Sequence, residues 1–208
     1  ASSQYTEYGG NTSCVEVRID DRVIILDAGT GIRELGKKIM ADNITSASLL
    51  FTHTHWDHIN GFPFFAPAYI PTHSFKVMAG HLKDRRGSIR HTLSSQMVGP
   101  MFPIPLEAMQ ADLQFEDFSA GETFKLYPDV TVRTTALNHP NEATGYRIEH
   151  NGRSMCYITD TEHEQNKPDE NILRLIDGAD IVIYDSTYTE EEYPAKVGWG
   201  HSTWNEGM

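Results

Sequence analysis

The chain has 208 residues, 39% hydrophobic and 22% charged, with two cysteines and a formal net charge of −12. That balance supports a buried core, excludes a disordered chain and fits one domain or one part of a larger protein. Such an acidic surface repels phosphate backbones at long range, which disfavours nucleic acid as a partner, and no apolar run approaches the roughly 20 residues that span a bilayer.

The start, Ala1-Ser2-Ser3-Gln4, has neither the basic head nor the apolar stretch of a signal peptide, and the low cysteine count fits a reducing cytoplasm, the expected location. Residues 13–19 alternate as a strand, Asp20-Asp21 turns the chain, and 22–26 reads as its partner. Asp27-Ala-Gly-Thr-Gly31 closes that strand, and 32–40 reads as a helix with Ile32, Leu35 and Ile39 on one face. Residues 48–52 form a short apolar strand. Residues 61–72, rich in Phe and Pro, read as loop; 75–79 as strand; 88–96 as a short helix; and 99–105, with three prolines, as loop again. The second half returns to strands at 113–115, 123–126, 130–136, 144–149 and 153–159. The last two flank Asn151-Gly152, a hairpin turn signal. Residues 171–176 suggest a helix and 181–184 a buried strand. Cys14 and Cys156 each fall in strand-like runs and read as small core residues, since two cysteines make no disulfide framework. The order of elements suggests two sheets packed face to face with helices outside.

The chemistry is concentrated in Thr52-His53-Thr54-His55-Trp56-Asp57-His58, which holds three imidazoles and a carboxylate directly after an apolar strand. Zinc takes imidazole nitrogen and carboxylate oxygen at about 2.0–2.2 Å. Residues two apart on an extended segment point the same way, and the chain can turn into a helix at Asp57-His58, so one segment could serve two ions.

His53-x-His55-x-Asp57-His58 resembles the HxHxDH signature of the metallo-β-lactamase superfamily, and the resemblance covers most of the chain. Asp27 is similar to that family's structural aspartate, His139 in Leu-Asn-His-Pro to its third zinc-binding histidine, and Asp160 in Tyr-Ile-Thr-Asp-Thr to the carboxylate that bridges two metals. The implied fold is a four-layer αβ/βα sandwich, an α/β class with two mixed β-sheets flanked by helices. The implied assignment puts His53, His55 and His139 on one ion, Asp57 and His58 on a second, and Asp160 on both. Two zinc ions per chain are expected, and Mn2+ or Fe2+ would also suit such donors.

The carboxylate at position 160 sets the chain apart from true β-lactamases, which usually carry a thiolate there, and His55 sets it apart from di-iron relatives, which carry Glu. Asp185 in Ile-Val-Ile-Tyr-Asp-Ser-Thr-Tyr and His201 in Gly-His-Ser-Thr resemble the late motifs of the ribonuclease Z and phosphodiesterase branch. That resemblance implies His201 as general acid and Asp185 as its orienting partner, beside Asp57, which steadies the attacking hydroxide formed at the metals. The expected activity is therefore cleavage of a phosphodiester in a small anionic substrate such as a cyclic nucleotide. A ribonuclease Z-like endonuclease and a thioester or lactam hydrolase are the alternatives, and a homodimer is left open. A non-catalytic metal-binding sensor or interaction module is a further alternative.

The sequence departs from the branch in two places. The branch supplies a last ligand of the second metal well beyond its His-x-Thr motif, and no candidate follows His201. The expectation is thus a single metallo-hydrolase domain, residues 1–208, truncated at both ends, with a weakened second metal. His150 and His163, read as exposed turn residues, are the nearby spares. Asp160 follows His139 by 21 positions, filled by one tight hairpin, with no room for the long arm that grips tRNA precursors. A basic cluster, Lys83, Arg85, Arg86 and Arg90, reads either as a phosphate grip or as a solvated loop face. In the long segment 62–109, Phe64, Phe65, Tyr69, Met97, Met101 and Phe102 could line a pocket or pack the loop down.

Overall fold

The computed structural model describes residues 7, 9–83, 87–165 and 167–208. They form two compact units, Ala1–Ala79 with Arg86–Asp117 and Gly80–Arg85 with Phe118–Met208, each built on a five-stranded sheet.

The first unit begins with the hairpin β1 (Val15–Ile19) and β2 (Arg22–Leu26), paired antiparallel. Its sheet continues in parallel through β3 (Ser46–Phe51), β4 (Ser74–Ala79) and β5 (Asp112–Asp117), in the order β1-β2-β3-β4-β5. Strands in a parallel sheet bury both faces, which is why β2 and β3 are almost continuous apolar runs. Helix α1 (Gly31–Ala41) buries Ile32, Leu35 and Ile39, the face expected from their spacing, each worth roughly 1.5–3 kcal/mol when fully covered. It ends with Asn43 in the left-handed region, with Asn43 N–H to Met40 O and Ile44 N–H to Ile39 O closing the last turn. Helix α2 (Trp56–Ile59) follows the histidine segment, and α3 (Ile89–Ser95) is capped by the Ser88 hydroxyl. The stretch expected as loop holds two 3-10 turns, Phe62–Phe64 and Ala66–Tyr69, which pack Phe65 and Pro67 against Gly36 of α1.

In the second unit the sheet order is β10-β9-β8-β7-β6. The strands β6 (Thr123–Tyr127), β7 (Val130–Leu137), β8 (Ala143–His150) and β9 (Arg153–Ile158) pair antiparallel, and β10 (Ile181–Tyr184) joins β9 in parallel. Asn151 and Gly152 both take positive φ (47° and 73°), as a tight turn between right-twisted strands requires. Helix α4 (Glu170–Ile176), capped by Asp169, packs Ile172 and Leu175 on Leu137, Cys156 and Ile158.

Three expectations need correction. Strand β10 is not buried: Ile181, Val182 and Ile183 are exposed, because β10 is the sheet's edge. Cys14 lies ahead of β1 and is half-buried, whereas Cys156 is a buried residue of β9. His150 and His163 are half-buried, not exposed. His150 closes β8 with its Nδ1 toward Asp129 O, and His163 stacks on Tyr193 at 4.3 Å.

Candidate metal centre

In the first unit the site is organised from beneath by Asp27. It sits just past β2 in the left-handed region (φ 62°) and is buried. Its carboxylate accepts the Thr52 N–H at 2.8 Å, the Thr52 hydroxyl at 2.8 Å and the His58 Nδ1–H at 2.9 Å. The Thr52 hydroxyl gives its single proton to Asp27, so toward His53 Nδ1, 3.1 Å away, it can only accept. His53 and His58 therefore both carry their proton on Nδ1 and direct an Nε2 lone pair outward. This is the state a divalent ion requires of imidazole, and the outer partner fixes it. The His53 ring meets those of His55 and His58 at centroid distances of 4.5 and 4.2 Å, and His58 Nε2 lies 3.5 Å from Asp57 Oδ2. That separation is close to the roughly 3.3 Å edge of a tetrahedron with ligands about 2.0–2.1 Å from the ion. The peptide of Gly61 lies so close that a Cβ would overlap Gly29 O, and Ala28 N–H bonds His58 O. The Asp27 loop and α2 are thereby locked together.

In the second unit His139, Asp160 and His201 each offer a ligand atom within 4.8 Å of the others. The strand ends deliver them: His139 follows β7, Asp160 follows β9 with φ 51°, and Asp185 follows β10. His139 donates Nδ1–H to Gly200 O at 2.7 Å and turns Nε2 toward Asp160 Oδ2 at 3.7 Å. His201 donates Nδ1–H to Asp185 Oδ2 at 2.9 Å, and its Nε2 is 4.0 Å from the same Asp160 oxygen. The Thr159 hydroxyl holds the other Asp160 oxygen at 2.8 Å. Asp185 is buried and accepts the N–H groups of Thr161 and Thr187 and the Thr187 hydroxyl, so it cannot swing away from His201. Tyr188 presents its ring edge to His201 at 5.9 Å, and burial pushes its phenol above the usual range, so it stands as a neutral hydroxyl.

The donors in both units, imidazole nitrogens and carboxylate oxygens, are of the kind that hold a divalent cation. The imidazoles of His53, His58, His139 and His201 all have Nδ1 engaged by an oxygen, which leaves Nε2 of each to face a cation or a substrate, and carboxylate oxygens stand 3.5–4.0 Å from Nε2 of His58, His139 and His201. The sequence pointed to His53, His55, Asp57, His58, His139 and Asp160 as metal ligands and to His201 and Asp185 as a proton donor and its partner. It missed Thr52, Glu162 and Gly200, whose parts depend on bonds to residues 25 to 61 positions away. The remaining candidates disperse. Lys83 pairs with Glu122 at 3.6 Å, and Arg90 approaches Glu107 at 4.0 Å and covers the Phe115 ring, which fits a solvated face; Arg85 and Arg86 lie outside the described residues. Phe65 and Met97 are core residues, whereas Phe64 and Met101 are exposed, with Phe64 against Phe102 at 5.5 Å.

Two mixed sheets with flanking helices, and with imidazoles and carboxylates gathered at the strand ends, define a metal-dependent hydrolase of the αβ/βα sandwich class. The model of the Beta-lactamase superfamily domain matches residues 22–208, and the chain belongs to that superfamily. Among curated relatives, a protein named Ribonuclease Z from Haloarcula marismortui is 19% identical over 94% of this chain and 75% of its own. Among solved structures, the metallo-β-lactamase fold protein YhfI from Bacillus subtilis superposes with a TM-score of 0.67 at 14% identity, over 92% of this chain and 69% of that one. A diphosphatase of the PhnP family reaches 0.64 at 20% identity, over 94% and 66%. At these identities the two structures speak for the fold alone. Among the described residues no helix is long and apolar enough to cross a membrane.

Proposed function

We propose that the chain is a metal-dependent phosphodiesterase acting on a small anionic substrate such as a cyclic nucleotide, with zinc as the working metal. In this reading His53, His55 and His139 would hold one ion and Asp57 and His58 a second, with Asp160 shared. When bound, such ions would supply a water of lowered pKa and neutralise charge on the phosphoryl oxygens. Asp57, on an exposed turn of α2, accepts a proton from the attacking water. His201 delivers a proton from Nε2 to the departing oxygen, while Asp185 holds Nδ1–H and balances the charge the ring carries when protonated.

The observation that carries this reading is the Asp185–His201 pair at 2.9 Å, aimed at the Asp160 carboxylate. Such a pair can orient a ligand as well as a proton donor; expulsion of an alkoxide needs a proton donor beside the metals, and His201, held in place by Asp185, supplies it. The Ribonuclease Z relative supports phosphodiester chemistry, while the net charge of −12 and the short hairpin β8–β9 favour a small substrate over RNA. A thiolate is absent from position 160, where an oxygen ligand suits phosphoryl transfer.

The test combines metal analysis with hydrolysis of bis-p-nitrophenyl phosphate, cyclic nucleotides, a pre-tRNA, a thioester and a lactam. His53→Ala and Asp160→Ala are expected to abolish activity and reduce bound metal, whereas His201→Ala loses activity on the cyclic nucleotides, keeps more of it on bis-p-nitrophenyl phosphate and retains metal. Loss of metal in His201→Ala would make His201 a ligand instead of the acid. Activity that survives complete metal removal ends the proposal.

A further inference from the structure

No motif singles out Glu162, yet it joins the segment that carries His139 to the one that carries His201. Its backbone is bonded both ways to Asn138, the neighbour of His139: Glu162 N–H donates to Asn138 O at 2.8 Å and Asn138 Nδ2 donates to Glu162 O at 2.7 Å. Its carboxylate reaches 36 and 38 residues onward. Oε1 accepts the Gly198 N–H at 2.6 Å and Oε2 accepts the Gly200 N–H at 2.7 Å. Both glycines lie in the left-handed region, at φ 88° and 82°, so that alternate N–H groups converge on one anion. Gly200 O then receives the His139 Nδ1–H, and the next residue is His201. A single carboxylate thus fixes both the peptide that orients His139 and the stem from which His201 projects.

We propose that Glu162 is a positioning residue. It latches the loop at 198–200 and so sets the orientations of His139 and His201 together. The inference rests on the proposed roles of His139 as a metal ligand and His201 as the proton donor. The geometry explains why a carboxylate is needed: its two equivalent oxygens take one N–H each. Glutamine keeps the shape but leaves one glycine N–H facing an NH2 group. Aspartate keeps the charge but is one methylene too short to reach both.

The experiment uses the full chain with Glu162→Gln, Glu162→Asp and Glu162→Ala. Glu164→Gln, an exposed residue paired with Lys167, controls for the lost charge. Amide hydrogen exchange at Gly198 and Gly200, imidazole 15N shifts of His139 and His201, and zinc affinity against a competing chelator are read alongside kinetics. Glu162→Gln is expected to speed exchange at both glycines, mix the His139 tautomers and weaken zinc by about 10–100-fold, the usual effect of losing a ligand's outer partner. With His201 misplaced, kcat should fall more for alkyl than for p-nitrophenyl phosphodiesters, because only the poor leaving group needs the acid. If Glu162→Ala does not fold, the glutamine and aspartate variants carry the test. Wild-type exchange in Glu162→Gln overturns the proposal, and so does faster exchange with unchanged His139 and His201 resonances. If exchange and tautomers change as expected but His139→Ala binds zinc normally, the latch stands and the metal assignment falls.

Discussion

Replacing Asp27 with Asn should uncouple metal binding from folding in a way the hydrogen bonds specify. Asn is nearly isosteric and tolerates the left-handed backbone at position 27 (φ 62°), so the main chain need not move. The amide oxygen can still accept the Thr52 N–H, but the NH2 group must then face either the Thr52 hydroxyl or His58 Nδ1, both of which now give Asp27 a proton. Facing His58, the NH2 group donates, and the imidazole must move its proton to Nε2, the atom that would coordinate. Losing one hydrogen bond to a charged group weakens that interaction by about 1.5–3 kcal/mol. That range corresponds to roughly a 10–150-fold loss of metal affinity, at about 1.4 kcal/mol per factor of ten. Losing a ligand's outer partner typically weakens metal binding by about 10–100-fold, so the two routes agree. Metal affinity by chelator competition and the His58 15N shifts test this directly. Wild-type affinity together with an unchanged His58 tautomer would refute the claim that Asp27 selects the coordinating nitrogen.

Asp185→Ala removes the acceptor that orients His201 and strands the Thr161 and Thr187 N–H groups; kcat should fall at least tenfold with KM little changed, measured by steady-state kinetics on an alkyl phosphodiester. Gly200→Ala should be among the most damaging small substitutions of the second unit, because a Cβ there overlaps Pro140 and the His139 ring at a φ of 82°; a fall in Tm accompanied by loss of bound metal is the expected signature. Burial, with Asp27 and Glu16 nearby, pushes the Cys14 thiol from 9.0 to about 12, so native protein should resist iodoacetamide at pH 8.5 until unfolded. Because the folded pKa is raised, this group's contribution to stability is complete below pH 9 and is lost as the pH climbs toward about 12; Cys14→Ser should flatten that part of a urea-unfolding series.

The parts of the site that were legible in the sequence were those whose chemistry is contiguous. His53 to His58 occupy six positions, and any backbone that brings them off a strand end must cluster them. The helix face of Ile32, Leu35 and Ile39 and the Asn151-Gly152 turn were legible for the same reason, since 3.6-residue periodicity and left-handed turn geometry are local properties. Strand β10 was misread because an apolar run is compatible with a buried strand, and only the sheet order reveals that it lies at an edge. The parallel run from β2 to β5 was also hidden: the hairpin of that sheet, β1–β2, is visible in sequence, whereas parallel pairing joins strands through long crossovers. Thr52 carried a usable signal, a hydroxyl residue at the end of an apolar strand and directly before the first histidine. Glu162 carried none, because an exposed-looking Glu after a turn is ordinary until the 198–200 loop returns to meet it.

Two carboxylates, Asp27 of the first unit and Asp160 of the second, occupy left-handed backbone at strand ends, at φ 62° and 51°. For an L-residue that conformation costs roughly 1–2 kcal/mol, and Asp bears it because its short side chain bonds locally. At position 160 the Thr159 hydroxyl supplies such a bond, at 2.8 Å. The carboxylate's chemical role and the backbone strain can be separated by comparing Asp160→Gly with Asp160→Ala, both of which remove the carboxylate. Glycine relieves the strain of about 1–2 kcal/mol but loosens the unfolded chain by about 0.4–1 kcal/mol. The glycine variant should therefore be more stable by roughly 0.5–1 kcal/mol, a Tm difference of about 1–4 °C for a chain of this size. Both should be equally inactive and equally poor in metal. An alanine variant as stable as the glycine one would mean that the chain past β9 relaxes out of the left-handed region once the carboxylate is gone. The backbone at 160 would then be held by coordination chemistry and its hydrogen bonds, not imposed by the fold.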